Sequence, residues 1–153
     1  TVAASVLTSG TYGHEYGGGS VKIETPDGIE VSAKQAWEMS GYGPGDMNVV
    51  QAYDTMSPGE LWDLEKMGFC RKGEAPGKLR EGYFDLSGKL PVNTDGGLMS
   101  RGHPLGATGL AQIIEIYSQI RGEAGPRQVA NAKAGLAHAM GAGPNSGVVI
   151  LKR

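Results

Sequence analysis

The chain has 153 residues, 26 of them glycine and 8 proline, with 39% hydrophobic residues and one cysteine. Glycine, at 26/153 or about 17%, is far above the ordinary share of about 7%, yet there is no G-X-Y period and the apolar content is that of a folded domain, so collagen and disorder are excluded. Fourteen basic against sixteen acidic residues give a net charge of −2, which argues against a nucleic-acid or polybasic membrane partner.

No apolar run approaches the length of a membrane span. A lone cysteine cannot form an internal disulfide, and this predicts a reducing, cytoplasmic compartment. The chain opens on Thr1 directly into an apolar segment with no basic region before it. That start is unlike a secretory signal and reads as a fragment or a processed chain.

Thr1 to Thr8 reads as a buried strand ended by Ser9-Gly10. Gly10 to Gly28, with Gly17-Gly18-Gly19, is a glycine-rich loop too long for a simple turn. Val31 to Ser40 has helical spacing, with Ser32 as a candidate cap and Gly41 just past its end. Met47 to Ala52 is a second strand. Ser57-Pro58-Gly59-Glu60 carries the chemistry of a helix start, with Ser57 as N-cap and Glu60 closing a capping box, and predicts a helix through Met67 stopped by Gly68.

Residues 71 to 87 are polar and irregular, Lys89 to Asn93 is a brief extended piece, and Thr94 to Gly109 is a glycine-dense loop. Leu110 to Arg121 is an amphipathic helix closed by Gly122. Ala134 to Met140 and Gly147 to Leu151 are closing strands joined by residues 141–146. This β-α-β-α-β-α-β-β order predicts an α/β fold, a mostly parallel sheet with helices packed on it. Its site should lie in loops beginning near Tyr53, Gly96 and Gly141.

Gly102-His103-Pro104-Leu105-Gly106-Ala107-Thr108-Gly109 is the most informative segment. It places His103 on rigid backbone just before a helix, where an imidazole can act as base or hydrogen-bond donor; the plain alternative is a surface histidine in a turn. The segment matches neither dinucleotide nor P-loop glycine patterns, so a nucleotide-binding reading is rejected. Tyr53-Asp54-Thr55-Met56 lies where a strand ends and a helix begins. Tyr53 can donate to a carbonyl or enolate, or be only a strand-end aromatic with Asp54 as an alternative cap. Gly141, Ala142 and Gly143 could offer N–H groups to an oxyanion, or form a plain turn. Cys70 reads as a buried apolar residue, His138 as a satisfied core histidine, and His14 has no metal-ligand spacing with its neighbours.

The combination Asn93-Thr94-Asp95-Gly96-Gly97-Leu98, then GHPLGATG, then Arg121-Gly-Glu-Ala-Gly125 and Arg127-Gln128-Val129, resembles the C-terminal half of the thiolase superfamily. Within it, the likeness is to sterol-carrier-protein-type thiolases and to archaeal and bacterial thiolase-like acetyl-CoA acetyltransferases. It runs from the AASVLTSG segment to VVILKR.

The resemblance implies a five-stranded mixed sheet covered by helices, forming one thiolase C-terminal domain over residues 1–153. It also implies acyl transfer on a coenzyme A thioester, with no tightly bound cofactor and no metal. The nucleophilic cysteine would come from an N-terminal half outside this chain, so the chain by itself should not turn over substrate. His103 matches the family's GHP histidine, supported by Asn93, Gly102 and Pro104. Tyr53 stands where the family has Asn or His, Thr55 where the sterol-carrier branch has Cys, and Met140 where many thiolases carry a second catalytic Cys.

Neither Thr nor Met can shuttle a proton as a thiol does. That leaves Tyr53 as the candidate acid/base, and keeps open a thiolase-fold retro-aldolase or a non-catalytic lipid-binding or scaffold subunit. The family also implies a homo-oligomer and, in this branch, an OB-fold partner of the DUF35 type.

Overall fold

The computed structural model describes residues 1–9, 26–141 and 145–153. The predicted Gly10–Gly28 loop lies outside these residues except for its last three, which are helical, and His14 falls outside with it. The elements in order are β1 (Val2–Ser9), α1 (Pro26–Ser40), β2 (Val49–Gln51), α2 (Ser57–Lys66), α3 (Ala75–Arg80), α4 (Gly97–Arg101), α5 (Thr108–Arg121), β3 (Ala134–Met140) and β4 (Asn145–Lys152).

The described residues form a four-stranded sheet in the order β1-β4-β3-β2. β3 and β4 make an antiparallel hairpin, β1 joins β4 antiparallel, and β2 alone pairs in parallel, with β3. Both the mostly parallel sheet and the five-stranded sheet are therefore corrected to a four-stranded mixed one. The expected strand at Lys89–Asn93 is reduced to a single bridge, Val50 to Val92. Val50 N–H donates to Pro91 O at 3.0 Å and Asn93 N–H to Val50 O at 2.9 Å, and pairing stops there. Pro91 has no N–H to extend a ladder, and Asn93 turns into the left-handed region at φ 49°.

Alternation along the strands divides the core. Val50, Leu136, Val148 and Ile150 face α1 and α2, where they meet Ile29, Ala33, Ala36 and Leu64. Val49, Ala137 and Leu151 face α5 and meet Ile116 and Ile120. Gly135 allows α5 its close approach: a Cβ there would lie 2.8 Å from both Ile116 Cγ2 and Val49 Cγ1. The helix carries apolar side chains on its other side too, and Leu110, Ile114 and Tyr117 are 60%, 54% and 52% exposed. Their spacing places them on one stripe pointing away from the sheet.

Three helices depart from the sequence reading. α1 starts five residues earlier than expected, at Pro26, so Ser32 is not its cap but a buried mid-helix residue donating to Ile29 O at 3.0 Å. α2 starts at Ser57 with Met56 in the cap position and no side-chain cap bond; Glu60 does not close a capping box but accepts from Asn93 Nδ2 at 2.6 Å. The stretches 71–87 and 94–109 were expected to be irregular, yet they contain α3 and α4. Each short helix is held by a distant carboxylate. Glu65 Oε1 accepts from Gly73 N–H and Ala75 N–H ahead of α3, and Asp54 accepts from the first turn of α4. The α5 helix begins at Thr108, one half-turn ahead of the expected Leu110, and ends on Gly122 in the left-handed region, as the sequence predicts.

Candidate active site

Two loops meet at the carboxyl end of β2. The chain leaves β2 through Ala52 into Tyr53 and Asp54, and the loop joining α4 to α5 brings His103 across from the other side. The phenol Oη of Tyr53 lies 3.0 Å from His103 Nε2, and the two rings stand edge to face with centroids 5.4 Å apart. The other ring nitrogen, Nδ1, lies 2.7 Å from Thr108 Oγ1. Thr108 is buried, and its hydroxyl donates its one hydrogen to Pro104 O at 3.2 Å. It therefore accepts from Nδ1–H, which assigns the His103 tautomer. Nε2 is left with a free lone pair that receives the Tyr53 hydroxyl. Burial, and next the carboxylate of Asp63, push the Tyr53 phenol above its ordinary range, so it is a hydrogen-bond donor at neutral pH.

The loops are fixed by carboxylates and amides rather than by apolar packing. Asp54 Oδ1 accepts from Leu98 N–H at 2.7 Å and Oδ2 from Met99 N–H at 3.4 Å, so the residue next to Tyr53 caps α4 and not α2. Burial raises the Asp54 carboxyl, while these backbone bonds and Arg101 pull it back. Gly97 makes room for it: a Cβ at that position would collide with Asp54 Oδ2, and its φ is +65°. Asn93 ties the loop to β2, accepting from Ala52 N–H at 2.9 Å while donating to Glu60. Burial lifts the Glu60 carboxyl, the Asn93 bond lowers it, and the nearby Asp54 and Asp63 raise it further.

On the far side, Glu115 collects Thr94 Oγ1 (2.8 Å), Gln119 Nε2 (3.0 Å) and Arg127 Nη2 (2.8 Å), binding the Asn93–Leu98 loop to α5. Burial pushes the Glu115 carboxyl up, but these donors together outweigh it and hold it below its usual range. The Arg127-Gln128-Val129 motif is explained by this network, since Gln119 Oε1 also accepts from Val129 N–H at 2.8 Å.

The structure brings together His103, Tyr53, Asn93, Gly102 and Pro104. Of the expected oxyanion loop, Gly141 donates its N–H to Asn145 O at 3.0 Å and has none to spare, while Ala142 and Gly143 lie outside the described residues. Cys70 is buried in the core on the α1 and α2 side, its thiol raised chiefly by burial. His138 is fully buried with both ring nitrogens paired, as a satisfied core histidine should be. Sequence reasoning missed Thr108 and Asp63. Thr108 was readable from its place five residues after His103 at the start of a helix, whereas Asp63 had no local signal.

A phenol donating to an imidazole nitrogen whose tautomer is fixed from behind can serve acid/base and oxyanion chemistry, with the donor and the acceptor already in contact. A model of the family described as "Thiolase C-terminal domain-like" matches residues 20–153. The chain is 43% identical over 133 residues to "Sterol carrier protein 2" of Rattus norvegicus, covering 87% of this chain and 24% of that protein. It is 44% identical over 110 residues to "Acetyl-CoA acetyltransferase" of Methanothermobacter thermautotrophicus, covering 72% of this chain and 29% of that one. A solved structure titled "Ltp2-ChsH2(DUF35) aldolase" superposes on 99% of this chain and 39% of its own, with a TM-score of 0.82 and 27% identity. The chain belongs to the thiolase C-terminal domain family, and it spans roughly a quarter of the length of the curated relatives named here.

Proposed function

We propose that this chain supplies the histidine half of a thiolase-type site that makes or breaks a carbon–carbon bond next to a coenzyme A thioester. The observation that carries the reading is the Tyr53 Oη to His103 Nε2 contact at 3.0 Å, backed by Thr108. Nε2 is the base. It takes a proton from a thiol nucleophile brought by the rest of the fold, or from the carbon next to the thioester, and returns it to the product. The Tyr53 hydroxyl swings its hydrogen bond from Nε2 to the thioester oxygen as charge develops there. The exposed Leu110, Ile114 and Tyr117 stripe on α5 supports an N-terminal half packed against it, in the same or a separate chain.

His103→Ala in the intact protein should abolish thiolysis or condensation of an acyl-CoA. Unchanged turnover would refute the reading.

A thiolase-fold retro-aldolase is the second reading, favoured by the composition of the site. The side chains that meet there are Tyr53, His103 and Thr108, and the one cysteine of the chain is in the core. The likeness to a solved aldolase with a DUF35 component supports this reading and a partner of that type. In such a step His103 Nε2 takes the proton of the β-hydroxyl, and the carbon–carbon bond breaks to release a carbonyl. Its electron pair passes into an enolate whose oxygen accepts from Tyr53, and His103 returns the proton to carbon. Release of an aldehyde or ketone without consumption of free coenzyme A separates this reading from the first.

A further inference from the structure

Behind Tyr53 the core contains a line of polar side chains that neither reading uses. Ser32 on α1, Ser146 on β4, His138 on β3 and Asp63 on α2 are each no more than 3% exposed. Ser32 Oγ lies 3.0 Å from Ile29 O and 2.7 Å from Ser146 Oγ. Ser146 Oγ in turn lies 3.0 Å from His138 Nε2. His138 Nδ1 faces Asp63 Oδ2 at 2.7 Å, and since two bare lone pairs do not approach so closely, Nδ1–H donates to the carboxylate. Nε2 is then free to accept from the Ser146 hydroxyl. The same Asp63 oxygen accepts the backbone N–H of Tyr53 at 2.8 Å, and the His138 ring stands edge to face with that of Tyr53 at 6.5 Å.

We propose that His138 and Asp63 are positioning residues for Tyr53, a buried hydrogen-bonded pair that fixes the Tyr53 backbone and holds its hydroxyl hydrogen for His103. The proposal rests on the reading of Tyr53 and His103 as the reacting groups. Geometry fixes the backbone half of the role, because Oδ2 is the acceptor for the one amide that starts the loop. Charge supplies the other half. The Asp63 carboxylate opposes ionisation of the phenol, and His138 holds that carboxylate in place. The other titratable group in contact with the phenol is His103, from the α4–α5 loop.

Asp63 thus acts on the phenol through its charge as well as its hydrogen bonds, and a merely structural residue would not. In the intact protein labelled with ¹³Cζ-tyrosine and ¹⁵N-histidine, Tyr53→Phe identifies the Tyr53 resonance, and His138→Asn identifies the His138 signals. Wild type should show the His138 ring hydrogen on Nδ1, in a strong hydrogen bond. Asp63→Asn should lose that signature and move the Tyr53 phenol ionisation downward. A wild-type His138 with no hydrogen on Nδ1, or a Tyr53 ionisation that stays in place in Asp63→Asn, would overturn the proposal. If His138→Asn does not fold, the wild-type nitrogen spectrum and Asp63→Asn decide alone. Because neither measurement involves turnover, loss of the acyl-CoA reading would show only in the His103→Ala assay.

Discussion

Replacing Thr108 by valine removes one oxygen from a buried position of nearly unchanged shape, and two hydrogen bonds go with it. In the resting site Oγ1 accepts from His103 Nδ1–H at 2.7 Å and donates to Pro104 O at 3.2 Å. When Nε2 takes a proton, the ring becomes a cation and the Nδ1–H···Oγ1 bond becomes a charge-assisted one. Hydrogen bonds to charged groups are worth about 1.5–3 kcal/mol, and at about 1.4 kcal/mol per factor of ten this is roughly 10- to 150-fold in kcat/KM. Stability should fall less, by about 1 kcal/mol, because Pro104 O retains the N–H donors of Ala107 at 2.8 Å and Thr108 at 3.0 Å. The measurement is kcat/KM for acyl-CoA turnover in the intact protein, alongside thermal unfolding, for Thr108→Val and Thr108→Ser. Serine keeps the hydroxyl and should restore most of the rate. Equal rates for valine and wild type would show that Thr108 does not fix the imidazole, and a serine variant as slow as valine would show that the methyl, not the hydroxyl, matters.

Gly97→Ala drives a Cβ into Asp54 Oδ2 at a φ of +65°, so it should cost about 2 kcal/mol or more; an unchanged unfolding midpoint in urea would be inconsistent with Asp54 capping α4. Glu60→Gln should stabilise the protein at neutral pH by on the order of 1 kcal/mol, because burial raises the folded carboxyl and the amide oxygen still accepts from Asn93. A group raised in the fold favours the protein below its unfolded value of about 4.3 and loses that contribution as pH rises through the folded value, so the gain should vanish in acid. Glu115→Gln should do the opposite. Its carboxyl is held low in the fold, so its contribution is present above about pH 4.3 and lost as pH falls through the folded value. Urea titrations should show a deficit of about 1–3 kcal/mol at pH 7 that narrows in acid, and a deficit independent of pH would count against the Arg127 and Thr94 bonds as its source.

What the sequence made legible is what local patterning controls. The closing strand Ala134–Met140 was placed within its observed bounds because its buried run is continuous, and the ends of α2 and α5 follow from Gly68 and Gly122 at positive φ. His103 could be singled out because glycine, proline and a following helix fix its backbone within six residues. The short helices α3 and α4 were not legible, since their free N–H groups are satisfied from elsewhere: Asp54 is 44 residues before Leu98. Glu60 misled for the same reason, because its side chain serves Asn93, 33 residues away, and not its own helix. The positioning groups fall in this class too. Asp63 and His138 are 75 residues apart, and nothing local to either marks the pair.

The separations also explain how the family's motifs are spread over the chain and yet meet in space. Tyr53 and His103 approach from two loops that share no backbone hydrogen-bond ladder, so their 3.0 Å contact must be set by whatever fixes each loop. Asp54, beside Tyr53, grips the first turn of α4, and α4 runs directly into Gly102-His103. Asn93, at the start of the same glycine-rich loop, grips the amide of Ala52 just before Tyr53. Each of the two residues is thus clamped next to the other by a neighbour reaching across. The two glycines Gly96 and Gly97, at φ +96° and +65°, let the loop turn tightly enough to close both clamps. The carboxylate of Asp54 is consequently committed to amides and unavailable for proton transfer, and Asn93 has both ends of its amide occupied. This leaves Nε2 of His103 as the one base presented by these loops, with the Tyr53 hydroxyl as its resting partner. In the proposed function, a substrate oxygen entering the site has to compete for that hydroxyl, and in winning it exposes the lone pair that the proposed base uses.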